Sequence, residues 1–359
     1  MRKRTRLRKK LKSATQDVKK NSIKSKLVEI ELKLQDSYKL QQAREEEEAV
    51  SAIKVNPKFF YAYSRKRQKT KSPVGPLNNC SGSLINDPAE MAEILADQYN
   101  SAFSTPSGSA TSHTPQSIDI IEDLEFSEEH IIKAISEIAN QSAAGPDRFP
   151  ALLLKNCKET LSKPLYLIWR TSLDTGEIPT IFKRSVITPI YKGGDKTLPK
   201  NYRPVALTSH LVKIFEKVLR NALVSFIERN NLLNPNQHGF RAGRSCLSQL
   251  LQHYDRIVKY MEDGKNIDVV YLDFSKAFDK LDFDITLNKL RSIGITGKLL
   301  RWIQNFITGR YQTVCVEGHL SGQKSVISGV PQGSVLGPLL FLILLGDIDC
   351  GVNHCSVSM

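Results

Sequence analysis

Val269-Val270-Tyr271-Leu272-Asp273-Phe274-Ser275-Lys276-Ala277-Phe278-Asp279 is the stretch on which the fold turns. Its first half is β-branched and aromatic, the composition of a buried strand. The run reaches a carboxylate that such a strand carries to its mouth. A fixed negative charge at a rigid sheet edge suits a hard divalent cation bound through oxygen. A lone Asp of this kind is more often a cap for the next turn or helix, and the rest of the chain reverses that preference.

With 359 residues the chain has room for two or three domains, and a hydrophobic content of 40% supports a core. The net charge of +14 is unevenly spread. Residues 1–70 hold 21 Lys+Arg against 8 Asp+Glu, and the remainder holds 30 against 29. A basic arm points to a polyanion, nucleic acid first. A solvated helix face and a nuclear-localisation stretch are the other readings. None of the six cysteines shows CxxC spacing, and Cys350, His354 and Cys355 lack a second ligand pair. Scattered reduced thiols in an intracellular protein are expected rather than a zinc site. The charged N-terminus has no apolar core of the secretory kind. The longest apolar run, residues 339–345, falls far short of the roughly 20 residues of a membrane span. The expectation is a soluble protein of nucleus or cytoplasm, not secreted and without a membrane partner.

Taken in order, residues 1–70 lack glycine and carry their first proline at Pro57, so long solvated helices are expected, with Leu27, Ile30 and Leu34 as a thin apolar stripe. Asp87-Pro88-Ala89-Glu90 is a helix start, with Met91, Ile94, Leu95 and Phe103 on one face that docks on something. Ser127 opens a helix with Ile131, Ile135 and Ile138 inward. Another runs over about 164–175 and stops at Gly176. Residues 185–191 and 202–208 read as two strands joined as a hairpin. Ser209 caps a helix carrying Ile214, Phe215, Val218, Leu219, Phe226 and Ile227. A helix is expected from near Ser245, two more around Leu287 and over 299–307, and a second hairpin over 311–317 and 323–327. Three glycines and two prolines in residues 328–338 make a shaped backbone loop, followed by a buried helix with Pro338 in its first turn.

Two runs in order, Leu272-Asp273-Phe274-Ser275-Lys276-Ala277-Phe278-Asp279 and Gly329-Val330-Pro331-Gln332-Gly333-Ser334-Val335-Leu336-Gly337-Pro338, resemble reverse transcriptases of non-LTR retrotransposons, the jockey-like LINE group in particular. Upstream, Ala144-Gly145-Pro146-Asp147, Asn201-Tyr202-Arg203-Pro204 and Gln237-His238-Gly239-Phe240-Arg241 follow the order that family uses. The resemblance covers about residues 120–359.

It implies an α+β right-hand polymerase of fingers, palm and thumb. The implied chemistry is attack of a DNA primer's 3′-hydroxyl on the α-phosphate of a dNTP, directed by an RNA template and assisted by two divalent cations, Mg2+ or Mn2+. Asp273 matches the first metal-binding Asp. Phe278 matches the position under the sugar, where a bulky ring rejects a 2′-hydroxyl; core packing is its other reading. Gln332 and Gly333 match the loop along nucleotide and template, where glycine permits close backbone approach. Lys192 and Arg203 lie on the two arms of the fingers hairpin and grip the triphosphate, Arg203 with its planar fork. Asp279 reads as a local cap and not as a metal ligand.

The family's next palm motif, an apolar or aromatic residue before Ala-Asp-Asp, is not found. Asp347-Ile348-Asp349 matches instead the segment closing the preceding helix. The expected organisation is a basic helical arm over 1–70, a linker over 71–117 with one amphipathic helix at about 88–103, and a reverse transcriptase domain over 118–359. That domain is expected to hold fingers and an incomplete palm, truncated before Ala-Asp-Asp, with neither thumb nor endonuclease. Such a chain is not expected to polymerise. The alternatives are a nucleic-acid-binding remnant without chemistry, or a gene-model fragment whose unpaired palm edge prevents stable folding.

Overall fold

The structure, a computed structural model, describes residues 74–105 and 119–350, and outside them residues 25–30, 36–37, 40, 43–48, 50–51, 352 and 357. The chain divides into two compact units, Met1–Lys71 and Ser72–Met359. In the first, every described residue is helical. Leu27 is buried and Ile30 half-buried, as a thin stripe requires, while Leu34 and the basic cluster at 65–69 lie outside the described residues.

The second unit mixes helices with one main sheet, an α+β arrangement. A two-residue ladder, β1 (Leu77–Asn78) with β2 (Leu84–Ile85), leads into α1 (Pro88–Asn100). The start of α1 follows from its sequence: Asp87 Oδ2 accepts from Glu90 N at 3.0 Å and Pro88 occupies the first turn. The helices α2 (Glu128–Ser136), α3 (Ala151–Asn156) and α4 (Lys158–Thr175) follow. Gly176 ends α4 at φ 76°, a left-handed cap that glycine takes without a Cβ clash. The beginning of α4 corrects the sequence reading, because the helix runs through Pro164 instead of starting there. A proline removes one N–H and crowds the preceding turn, and the burial of Ser162, Leu165 and Trp169 holds the helix across it.

The sheet begins with β3 (Arg184–Tyr191) and β4 (Tyr202–Leu207), an antiparallel hairpin pairing Tyr191 with Tyr202 and Val186 with Leu207. Then come α5 (His210–Arg229), α6 (Cys246–Glu262), α7 (Phe283–Ser292) and α8 (Gly297–Ile307). The chain returns to the sheet as β5 (Arg310–Val316), parallel to β3, with Ile187 opposite Val314. Two short strands, β6 (His319–Leu320) and β7 (Lys324–Val326), pair antiparallel with β5. Last is α9 (Gly337–Leu345).

Two apolar centres organise the unit. In the helical one, Phe215 of α5 stacks on Trp169 with ring centroids 5.1 Å apart and meets Trp302 edge-on at 5.1 Å. The Trp302 indole N–H donates to Ser172 Oγ at 3.0 Å, so the ring is buried without an orphan donor. In the other centre, Met91, Leu95 and Tyr99 of α1 pack on Ile187, Ala206, Val314 and Val316 of the sheet. The sheet is thus the surface on which the apolar face of α1 docks.

The opening stretch departs from expectation. Residues 265–274 form no strand, and Val270, Tyr271 and Leu272 are 79%, 83% and 79% exposed. A β-branched run becomes a strand only when a neighbour completes its backbone ladder and covers its faces. Here no described strand pairs with it. Its contact is with α6, through Tyr271 Oη and His253 Nε2 at 3.4 Å. The side of α6 that carries Leu247, Leu250, Leu251, Tyr254 and Val258 is itself exposed.

Candidate functional site

The loop after β7 is built to lie against two other segments. Gly329, at φ 82°, has its N–H on Leu281 O at 2.7 Å, and Val330 N donates to Phe278 O at 2.9 Å. A Cβ on Gly329 would come within 2.5 Å of Phe278 O. On the other side, Ala206 N of β4 donates to Gln332 O at 2.8 Å. Gly333, at φ 134°, approaches β4 so closely that a Cβ would lie 2.6 Å from Ala206 O. Both glycines are required because backbone meets backbone where a side chain has no room.

The loop's far end is secured by a carboxylate from α5. Glu216, fully buried, accepts from Val335 N at 2.7 Å and Leu336 N at 3.1 Å. Helix α9 has no side-chain N-cap of its own at Leu336; Glu216 serves the N–H groups of the two residues that lead into it, and Ser334 Oγ accepts from Gly337 N at 3.0 Å. Burial pushes the Glu216 carboxyl above its usual range, opposed by these N–H groups and by the charge of Arg310. Arg310, also buried, donates to Phe306 O at 3.0 Å and lies over the Phe306 ring. Burial brings its guanidinium down to about 10, which leaves it cationic at neutral pH.

The loop also reaches Asp279. Gln332 Nε2 donates to Asp279 Oδ1 at 3.0 Å and to Oδ2 at 3.1 Å. Burial raises the Asp279 carboxyl, with the Gln332 hydrogen bonds and the Lys276 charge pulling the other way. This corrects the reading of Asp279 as a local cap. The capping carboxylate is Asp282, whose Oδ1 accepts from Ile285 N at 3.0 Å. Tyr99, Asp279, Arg310, Gln312, Pro331 and Gln332 line one small cavity between α1, the sheet and the loop. Burial first, and the Asp279 charge second, oppose ionisation of Tyr99.

The other residues singled out in the sequence fall as follows. Arg203 is exposed on β4, opposite Ile190. Lys192 is exposed just past β3, its N–H extending the ladder to Asn201 O at 2.9 Å. Gln332 and Gly333 lie beside Ala206, on the same strand as Arg203. Phe278 is half-buried, with its ring 5.1 Å from Phe341 and 6.2 Å edge-on to Phe240. Asp273 is exposed in the irregular stretch, and no group of three or more His, Cys, Asp or Glu able to hold a metal occurs among the described residues. Arg241 is committed to Glu228, at 2.9 and 2.7 Å through Nε and Nη2. Glu216 and Arg310 were not visible in the sequence; the only signal was a charged residue among apolar neighbours at helical or strand spacing.

The site is thus a hairpin with exposed cationic side chains, a glycine loop locked against it and an aromatic-carboxylate turn behind the loop. Residues 190–359 match the family described as reverse transcriptase (RNA-dependent DNA polymerase). Over 284 residues the chain is 27% identical to the probable RNA-directed DNA polymerase from transposon BS of Drosophila melanogaster, covering 77% of this chain and 31% of that protein. It is 26% identical over 296 residues to the RNA-directed DNA polymerase from mobile element jockey of Drosophila funebris, covering 79% of this chain and 32% of that protein. It is also 30% identical over 181 residues to a Pol polyprotein from retrotransposable element R2 of Popillia japonica, covering 50% of this chain and 25% of that protein. Residues 190–359 are thus similar to a reverse transcriptase domain, and the chain is similar to RNA-directed DNA polymerases of non-LTR, LINE-type elements. It spans about a third of the length of the BS and jockey proteins.

Proposed function

We propose that this chain works as part of an RNA-directed DNA polymerase of a non-LTR retrotransposon. In this reading it binds an RNA template with a DNA primer and a dNTP through fingers, made by β3 and β4, and a palm portion around residues 269–345. The observation that carries the reading is the seating of the Gln332 loop between β4 and the Phe278–Asp279 turn. It gathers Gln332, Gly333, Phe278 and the strand of Arg203 from widely separated parts of the chain.

The residues at hand set the limits of the metal chemistry. Two cations roughly 3.5–4 Å apart need several carboxylates between them, and Asp273 stands apart from any described carboxylate cluster. The described residues do not make a two-cation site. Asp273 is proposed as one oxygen ligand of Mg2+ or Mn2+, and no chemical step is assigned to it.

The test is equilibrium binding of a dNTP to the full chain with an RNA–DNA primer–template present. Arg203→Ala and Gln332→Ala are each expected to weaken retention about tenfold, the loss of one charged or oriented hydrogen-bonding contact. Unchanged retention in both variants would remove the reading. The exposure of Asp273 favours a second reading, nucleic-acid binding without chemistry. Manganese-supported primer extension that disappears in Asp273→Ala would exclude it.

A further inference from the structure

One group holds the Gln332 side chain, and its chemistry dictates the orientation. The Gln332 amide nitrogen reaches both oxygens of Asp279 at 3.0 and 3.1 Å, across 53 residues of sequence. The main chain on both sides is fixed independently. Gln332 O accepts from Ala206 N at 2.8 Å, and Asp279 O accepts from Ser328 Oγ at 2.7 Å. The Asp279 N–H is itself engaged with Lys276 O at 3.0 Å. Neither end of the pair is free to drift, so the side-chain contact has a defined geometry.

An ionised carboxylate accepts hydrogen bonds and donates none, whereas a Gln amide does both. Facing Asp279, the amide must turn its NH2 inward, which leaves its oxygen as the group offered to a ligand. The charged and titratable neighbours do not compete for this role. Tyr99 of α1 lines the same cavity, with a hydroxyl that has no partner. Arg310 of β5 donates to Phe306 O. Lys276, on the same turn as Asp279, acts on the carboxylate through its charge.

We infer that Asp279 is a positioning residue: it locks the Gln332 amide with the carbonyl outward, so that the site selects a hydrogen-bond donor on the incoming nucleotide. The inference rests on the reading of Gln332 as a nucleotide contact. The donor is a sugar hydroxyl or a base amino group. An acceptor in the same place would meet the lone pairs of the amide oxygen and be rejected.

Two measurements on the full chain test it. In the first, the Gln332 side-chain NH2 resonances are identified by their loss in Gln332→Ala and compared between wild type and Asp279→Asn. An Asn can donate to the amide oxygen and let the group turn over, so both proton resonances are expected to move. Resonances that stay in place would overturn the positioning role.

In the second, dGTP, 2′,3′-dideoxy-GTP and dITP are titrated with an RNA–DNA primer–template present, against wild type, Asp279→Asn, Gln332→Ala and the double variant. The dideoxy arm reports on the sugar hydroxyl and the inosine arm on the base amino group. Asp279→Asn is expected to reduce the preference for dGTP in one arm about tenfold and to add nothing in the Gln332→Ala background. An equal further loss in that background would show Asp279 acting independently and overturn the inference. If wild type retains no nucleotide, the nucleotide reading of Gln332 fails and the selectivity with it. The amide resonances then still decide whether Asp279 positions the side chain.

Discussion

At the scale of single residues, polar groups with distant partners govern the loop. Glu216 and Val335 are separated by 119 residues, yet their contact closes one end of the Gln332 loop. Replacing Glu216 by Ala would leave two buried N–H groups unserved and the buried Arg310 without its facing charge. A buried group left unsatisfied costs about 1–3 kcal/mol, and Arg310 would lose the long-range charge of Glu216 as well. Glu216→Ala is therefore expected to lower the unfolding free energy by about 3 kcal/mol or more in urea titration. Glu216→Gln keeps an oxygen for both N–H groups and is expected to recover part of that loss. Equal stability of the Ala and Gln variants would show that the hydrogen bonds to Val335 and Leu336 contribute little. Neither this contact nor the one between Asp279 and Gln332 was legible in the sequence. Local reading assigns a carboxylate beside a turn to a cap, because the nearest N–H is the only partner visible along the chain. The residues of the loop were legible through their motif, since two glycines flanking Pro331 and Gln332 already require a backbone held close to something.

At the scale of elements, those with local causes were the readable ones. Ser209 caps α5 through Leu211 N at 3.1 Å, Ser245 caps α6 through Ser248 N at 3.2 Å, and Gly176 ends α4. Each signal lies within a few residues of the boundary it sets. The β3–β4 hairpin was equally visible, because both arms are rich in β-branched and aromatic residues and a polar loop with two adjacent glycines, Gly193 and Gly194, joins them. The stretch at 269–273 was not, although its composition is as strand-like as theirs. A strand is defined by its neighbour, and no described segment completes its ladder. Its apolar side chains and those of α6 instead form a broad exposed surface, the kind that drives association. Leu272 is 79% exposed, so Leu272→Lys is expected to leave the melting temperature within a degree or two while reducing binding of a hydrophobic dye and lowering aggregation on standing. A large fall in melting temperature would mean that this side chain is packed in solution and that the stretch is already a covered strand.

At the scale of the whole molecule, the excess of positive charge in residues 1–70 was legible from composition alone, whereas the charge network that ties the folded unit together was not. Arg170 of α4 reaches Asp123 at 2.8 Å, and Lys298 of α8 reaches Asp123 at 2.8 Å and Asp174 at 2.7 Å. Four charges from three distant segments meet, a pattern that no spacing along the sequence reveals. Hydrogen bonds from Arg170 and then Lys298 hold Asp174 well below the usual carboxylate range. Burial raises Asp123, but hydrogen bonds from the same two cations outweigh it. For a depressed carboxylate the folded state binds fewer protons than the unfolded one. Its stabilising contribution is present above the unfolded value near 4 and disappears as the pH falls through the folded value. Glu216 and Asp279 act in the opposite sense. Burial raises them, so their contribution is fullest below about pH 4 and fades as the pH rises through their folded values. Acid therefore sets the two groups against each other. Lys298→Met removes one cation from the network and moves Asp123 and Asp174 toward their unfolded values. Urea midpoints between about pH 7 and pH 2 are expected to fall less steeply below about pH 4 in this variant than in the wild type. At neutral pH the two proteins should differ little, because solvent screens exposed ion pairs. Parallel acid limbs would show that the wild-type loss comes from other carboxylates, with Glu137, paired to Lys217, and Glu228, paired to Arg241, the next to replace.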